Sequence, residues 1–410
     1  MHTPAEIAAT SLIRHRTPEF RRANLAIFSA GFATFALLYC VQPLLPVFAR
    51  DFHVSAAASS LALSLTTGVL APAMIVAGAL SEARGRKSIM VASLLASAVL
   101  TLASAFVTSW HEMLVLRAAA GVTFAGLPAV SMAYLSEEVH PNSLGLAIGL
   151  AIGGNGLGGM TGRLLGALLA DLVSWRFAVG VVGIVGLAAT AVFWRTLPAS
   201  NHFTRRPLHT GSLIASFATQ LRDARLVALF AEGFLLMGAF VTAYNYVTYH
   251  LLSPPYSLSQ SVAGLIFVVY IGGVFASAWI GAMADRRGRG RMLVLMTLLM
   301  LGGVALSLGR PVWCVVAGIA IVTIGFFGGH SVASSWVGLS ATSAKAQATA
   351  LYMFFYYIGA SAAGTIGGFF WDAASWFGVA AFVGALVIAA IVIAAVLAGA
   401  PRHKGEDWST

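Results

Sequence analysis

The chain has 410 residues, 59% of them hydrophobic and only 9% charged, with a formal net charge of +10. A water-soluble domain carries about 25% charged residues, so this composition excludes a soluble globule and makes lipid the solvent. The positive balance does not make the chain a nucleic-acid binder, because its basic residues sit in breaks between long apolar runs rather than in one patch.

Roughly 20 apolar residues cross the hydrocarbon as a helix. Twelve such stretches follow one another, at about 24–48, 57–80, 88–108, 111–135, 143–170, 175–196, 225–251, 260–284, 291–309, 312–335, 345–371 and 376–399. Strand-type alternation is absent, which argues against a membrane barrel. The 43 glycines suit helices packed backbone to backbone in lipid. The expected division is an N-terminal tail over 1–23, a six-helix bundle over 24–196, a central loop over 197–224, a second six-helix bundle over 225–399 and a tail over 400–410. The fold class is an all-α membrane protein with twelve transmembrane helices in two pseudo-symmetric bundles. The first 24 residues are polar and basic without a small-residue cleavage site, and the first helix is too long for a signal-peptide core. It reads as a retained signal-anchor. With the N-terminus inside, the outward loops hold only Arg50, Arg176 and Arg310, and Arg117 and Arg163 lie within helices. The remaining basic residues fall on inward segments. This asymmetry predicts a multi-pass membrane protein with both termini in the cytoplasm.

Taken in order, the first helix carries Tyr39, Cys40 and Gln42 in an apolar setting. Between the second and third lies a charged hinge with Gly78, Glu82, Arg84, Gly85, Arg86 and Lys87. The fourth helix holds Arg117, then Gly121, and ends at Glu137 and Glu138. The fifth is glycine-rich around Asn155 and carries Arg163. The central loop has an expected amphipathic piece near Leu213–Leu221 that lies on the inner face. The seventh helix contains Glu232, Tyr244, Asn245, Tyr246 and Tyr249. A second hinge follows the eighth, with Gly281, Asp285, Arg286, Arg287, Gly288, Arg289 and Arg291. The tenth holds His330, and the eleventh Tyr352, Phe355, Tyr356 and Tyr357. Cys40 and Cys314 read as packing residues, with no disulfide or metal spacing.

The halves repeat. Phe28 to Phe32 aligns with Phe230 to Phe234, Gly78 with Gly281, and Asp171 and Trp175 with Asp372 and Trp376, all at nearly one offset. A duplicated apolar scaffold with matched charged hinges is the layout of a rocker-type membrane transporter.

On these hinges, the Tyr39-to-Pro46 run, the Tyr134-to-Glu138 run and the glycines of the fifth helix, the chain resembles the major facilitator superfamily over roughly residues 24–399. Within it, the chain is similar to the twelve-helix drug/proton antiporter group and its YnfM-like, sugar-efflux-related branch. The resemblance implies a secondary transporter, not an enzyme, that works by alternating access, and a location in a bacterial cytoplasmic (inner) membrane. It implies that Gly78, Glu82, Arg84, Gly85, Arg86, Glu137, Glu138, Gly281, Asp285, Gly288 and Arg289 form a cytoplasmic latch. In it, Glu82 would face the amino end of the eleventh helix and Asp285 that of the fifth, and Arg84, Arg86 and Lys87 would reach Glu137 and Glu138 at the inner end of the fourth. Glu82 stands where the family carries Asp, and Asn155-Gly156 stands where its antiporter signature has Gly-Pro. The alternative for the hinges is positive-inside anchoring alone.

Arg117 and Gly121 match the spacing of the family's proton-linked arginine motif, with Ala120 in place of its usual Gln. A charge at this depth needs a partner or water. It would serve coupling or anion binding, or hold backbone carbonyls of the first or fifth helix, or snorkel outward. Arg163 has the same alternatives. Glu232 is the one deeply placed acid, and a carboxyl there answers to burial and to neighbouring charge. It is either the proton carrier or an interfacial acid paired with Arg222 or Arg225. His330 is either a packing or a cavity residue. Tyr39, Gln42, Asn155, Arg163, Tyr244, Asn245, His330, Tyr352, Phe355 and Tyr356 are the candidates for the substrate cavity. The expected partners are a small-molecule substrate, protons and the bilayer, with the chain acting as a monomer and without a cofactor, metal or nucleic acid. Export by proton antiport is the leading expectation, with proton-linked uptake and a non-transporting receptor as rivals. No metal-ligand spacing, nucleophile elbow or Walker loop supports a membrane enzyme.

Overall fold

A computed structural model describes residues 12–203, 210–342 and 344–400 of the chain. It is helical throughout, with a single isolated bridge, between Ile13 and Val139, among the described residues. Eleven helical segments are long and apolar enough to cross a membrane. They are α1 (Pro18–Asp51), α2 (Ala56–Arg84), α3 (Arg86–Ser104), α4 (Trp110–Glu138), α5 (Pro141–Leu172), α6 (Trp175–Thr196), α7 (Ala224–Leu252), α8 (Gln260–Arg287), α9 (Arg289–Leu306), α10 (Val312–Ser340) and the 55-residue Lys345–Gly399. The last is two helices. Ala374 and Ser375 leave helical geometry, Ser375 with φ 50°, and the break divides it into α11 and α12. The chain therefore has the twelve membrane-crossing helices its hydropathy predicts.

Local chemistry explains the boundaries. α1 starts at Pro18, inside the stretch expected to be tail. Thr17 caps the amide of Phe20, and Pro18 takes the first helical position, where its missing N–H has no partner to lose. α4 opens on a capping box between Ser109 and Glu112. α1 is not continuous. It stops at Tyr39, passes through a 3-10 turn at Gln42–Leu44 and restarts at Leu45. Pro43 and Pro46 remove two amides from the ladder, so backbone carbonyls are freed inside a membrane-crossing helix. Such groups must find partners within the protein. A short helix at Thr210–Gln220 occupies the central segment. Arg205, Arg206 and the C-terminal tail from Pro401 lie outside the described residues.

The chain packs as two compact units, with breaks after Val41, Ala71 and Leu208. The first unit contains α1 up to Val41, α2 from Pro72, and α3 to α6. Its central seam is α1 against α5. Gly154, Gly158 and Gly162 recur every fourth residue on α5, and a Cβ at any of them would strike the backbone of Phe28, Phe32 or Ala36 on α1. This is the small-residue approach that lets membrane helices touch along their backbones.

The second unit contains α7 to α12 together with Gln42–Ala71, the end of α1 and the beginning of α2. Hydrogen bonds fasten that segment to α7 and α8. Gln42 Nε2 donates to Asn245 Oδ1 at 2.8 Å, Tyr249 OH to the Leu45 carbonyl at 2.9 Å and Gln260 Nε2 to the Pro43 carbonyl at 2.6 Å. The last two acceptors lie in the 3-10 turn or just beyond it. The main seam of this unit is α7 against α11, where a Cβ on Gly359 would strike the Phe234 carbonyl. Gly359 and Phe234 are the repeat counterparts of Gly158 and Phe32, so the duplication seen in the sequence extends to a specific backbone contact.

Candidate functional site

The two hinges share a backbone device. Gly85 has φ 103° and ψ 149°, and Gly288 has φ 91° and ψ 131°. A Cβ is strained in this region, so glycine lets one helix end and the next begin without an intervening loop. The side chains around these two turns behave differently.

In the first unit Arg86 is 8% exposed and grips Glu137 with two nitrogens, Nη2 to Oε1 at 2.7 Å and Nε to Oε2 at 3.2 Å. Its third nitrogen donates to Ser81 Oγ at 2.7 Å. Lys87 donates to the Leu197 carbonyl. Glu138 is 1% exposed and turns away from the arginines. It accepts from the amide of His202 and meets His202 Nδ1, both at 2.9 Å. Among the described residues of this unit Glu82 forms no hydrogen bond or ion pair, and Arg84 is exposed. In the second unit Asp285 pairs with Arg289 one turn on. Arg286, Arg287 and Arg291 are exposed and have no hydrogen bond or ion pair among the described residues.

Each unit also buries charge at depth. In the first, Arg117 is fully buried, and its Nη2 donates to the Leu38 carbonyl at 3.0 Å. That carbonyl lies where α1 breaks, so a guanidinium meets the negative end of a half-helix. Of the readings open for this residue, the one in which it holds a carbonyl of the first helix describes this bond. Arg163 is 2% exposed. It donates to the Gly159 carbonyl at 2.8 Å and lies over the Tyr39 ring, 4.0 Å from its centroid, close enough for a cation–π contact. Arg117, Tyr39 and Arg163 thus surround the break in α1. Asn155 packs against Gly31 on the hinge side of this group.

In the second unit Glu232 is fully buried on α7, and neither carboxylate oxygen has a hydrogen-bond partner among the described residues. It pairs with neither Arg222 nor Arg225; Arg225 lies over Trp336 instead, 5.3 Å from the ring centroid. The neighbouring Gly233 abuts the Tyr352 ring. Tyr352 OH and His330 Nδ1 are 2.8 Å apart. From there a column of rings runs along the unit. His330 stands 4.7 Å from Tyr356 and is stacked with Phe326. Phe326 is stacked on Phe240 at 3.8 Å, and Phe240 meets Tyr244 at 4.8 Å. Tyr244 OH reaches Thr323 Oγ1 at 2.6 Å. Phe355 stacks on Phe230 beside Glu232.

The sequence candidates therefore fall into two groups. Tyr39, Arg117, Asn155 and Arg163 lie in the first unit. Gln42, Glu232, Tyr244, Asn245, His330, Tyr352, Phe355 and Tyr356 lie in the second. Phe240, Phe326 and Thr323 are not among the residues expected from the sequence, nor is Tyr270, whose ring lies 5.0 Å from that of Tyr244. The signal for the two phenylalanines is the four-residue spacing of Phe326 with His330 and of Phe240 with Tyr244, which puts rings on one helix face. Among the described residues no cluster of His, Cys, Asp and Glu could hold a metal.

Residues 27–256 match the model of the Major Facilitator Superfamily. An MFS-type transporter of Bacillus subtilis (strain 168), YybF, is 50% identical over 371 residues, which cover 90% of this chain and 92% of that protein. The inner membrane transport protein YnfM of Escherichia coli (strain K12) is 46% identical over 375 residues, covering 92% of this chain and 90% of its own. Among solved structures, the nucleoside transporter NupG superposes with a TM-score of 0.76 at 14% identity, over 92% of this chain and 99% of that one. A bacterial homologue of the human lysosomal transporter Spinster gives 0.71, also at 14% identity, over 93% and 96%.

Proposed function

The chain belongs to the Major Facilitator Superfamily and is a multi-pass membrane transporter; from that premise we propose that it exports a small organic molecule across a bacterial inner membrane in exchange for protons. The observation that carries the coupling is Glu232. A carboxyl sealed inside a transmembrane helix with no cation and no donor on it is suited to exist in two protonation states, because neither is locked by a partner. Tyr352, whose ring abuts the adjacent Gly233, and His330, which meets Tyr352, supply a hydroxyl and an imidazole, groups that can pass or hold a proton. Arg117 secures the break in α1 and is a second participant in coupling. Transport would proceed by alternating access to a substrate held near mid-membrane. The candidate residues for that substrate are Tyr39, Asn155 and Arg163 on one unit, and Gln42, Tyr244, Asn245, His330, Tyr352, Phe355 and Tyr356 on the other. Rings outnumber fixed charges there, which suits an amphipathic substrate. Gly78, Glu82, Arg84, Gly85, Arg86, Glu137 and Glu138 at the first hinge and Gly281, Asp285, Gly288 and Arg289 at the second would control closure at the cytoplasmic ends, with both termini inside.

The test uses protein reconstituted into liposomes with a substrate found by thermal-shift screening at two pH values. Glu232→Gln is expected to abolish flux driven by a proton gradient while substrate exchange without a gradient persists. Unchanged gradient dependence would reject Glu232 as the carrier. Accumulation in inverted vesicles under an inward-acidic gradient supports export, and loss of internal substrate would support uptake.

A further inference from the structure

The second hinge borders a cavity whose walls include the latch residues Asp285, Gly288 and Arg289 and, beside them, arginines to which the proposed transport cycle gives no role. It has a volume of about 1260 Å³ and is walled by Arg225, Arg286, Arg287, Arg289 and Arg291, with Asp285 as its one acid. Small-molecule sites enclose roughly 300–1,000 Å³, so this is an open basin rather than a fitted cleft. Arg289 is engaged by Asp285 and Arg225 by Trp336. Arg286, Arg287 and Arg291 are exposed and meet no partner among the described residues. Three unpaired cations beside one neutralised acid form a strongly positive surface. The amides at the start of α9 add to it, because Gly288 offers them no side-chain cap. The lining also includes the aliphatic side chains of Leu295, Leu339 and Leu397, and Leu295 is 50% exposed.

Arginines and leucines lining one basin at the end of membrane helices match one kind of ligand. We propose that this basin holds the phosphate headgroup of an anionic phospholipid, with the arginines on the phosphate and an acyl chain along the leucines. Arginine is suited to this role because its fork donates two parallel hydrogen bonds to phosphate. A free phosphate would have no use for the aliphatic lining. The proposed inward orientation decides only which leaflet supplies the lipid.

The experiment uses the purified full chain in neutral detergent, with binding of short-chain phosphatidylglycerol, short-chain phosphatidylcholine and glycerol phosphate read by native mass spectrometry. Phosphatidylglycerol is expected to bind in preference to phosphatidylcholine and to glycerol phosphate. Joint replacement Arg286→Gln, Arg287→Gln and Arg291→Gln should weaken it about fivefold per residue, roughly a hundredfold in all. The matching lysine variants should retain binding to within about tenfold. Unchanged binding in the glutamine variant overturns the site. Glycerol phosphate binding as tightly as the lipid overturns the headgroup in favour of a soluble phosphate compound. Should the glutamine variant fail to fold, salt decides on the unaltered protein: binding that does not weaken with ionic strength also overturns the proposal. Glu232→Gln should bind the lipid normally, so the outcome is independent of whether that residue carries protons.

Discussion

The two hinges began as copies, share one backbone turn and have diverged in what surrounds it. At the first, Arg86 is enclosed by Glu137 and Ser81, and Lys87 by the Leu197 carbonyl. At the second, only Arg289 has a carboxylate among the described residues, and three arginines are exposed. The glycine turn is thus the shared element, and the charges around it have been put to different uses. A charge network closed within its own unit stiffens a helix junction. A set of open charges is available to something outside the chain. Position within a repeat therefore does not dictate role.

The sharpest way to break this comparison is to remove Glu137. Glu137→Ala leaves Arg86 buried without its carboxylate; because the Glu137 side chain is 29% exposed, the cost should fall between that of an exposed and a buried pair, about 2 kcal/mol. A large fall in the detergent melting temperature is expected, and a change no greater than that of an exposed ion pair would place the two hinges in one class. The turns themselves should respond alike. Gly85→Ala and Gly288→Ala each force a Cβ into a conformation that costs about 1–3 kcal/mol, and their melting temperatures should fall by similar amounts. A clear inequality would mean that the shared φ and ψ do not carry shared strain. The smallest effect belongs to Asp285→Ala. Its partner is one turn away, and the Asp285 side chain is 63% exposed, so the loss should be about 0.5 kcal/mol or less, near the limit of a thermal-shift measurement.

Much of the fold is legible in the sequence because lipid imposes a simple rule. Every crossing segment must be long and apolar, so hydropathy finds α1 to α12, and the glycine and arginine clusters mark the turns between them. The pairing of Arg86 with Glu137 is legible for a related reason. Opposite charges at one end of neighbouring helices have few other places to go. What was not legible depends on contacts between distant residues. Hydropathy averages over a window and passes across the break at Gln42–Leu44. It carries no hint that residues 42–71 pack with the C-terminal unit, which rests on Gln42 meeting Asn245 and Gln260 meeting Pro43. Glu138 was expected to serve the arginines and instead meets His202, because the segment after α6 returns to it. The early start of α1 was missed for a local reason. Polar residues after Pro18 lower the hydropathy, while Thr17 supplies the cap that lets the helix begin there.

The seam between α1 and α5 and its twin between α7 and α11 have settled one steric problem in mirrored ways. In the first, Gly162 on α5 faces Ala36; in the second, Ala363 on α11 faces Gly238. The methyl group has changed sides while each crossing has kept one. What duplication preserved at this level was the combined bulk of two facing residues, not the identity of either. The permitted drift at such a crossing is an exchange between partners, in which neither helix is free to enlarge until the other has shrunk.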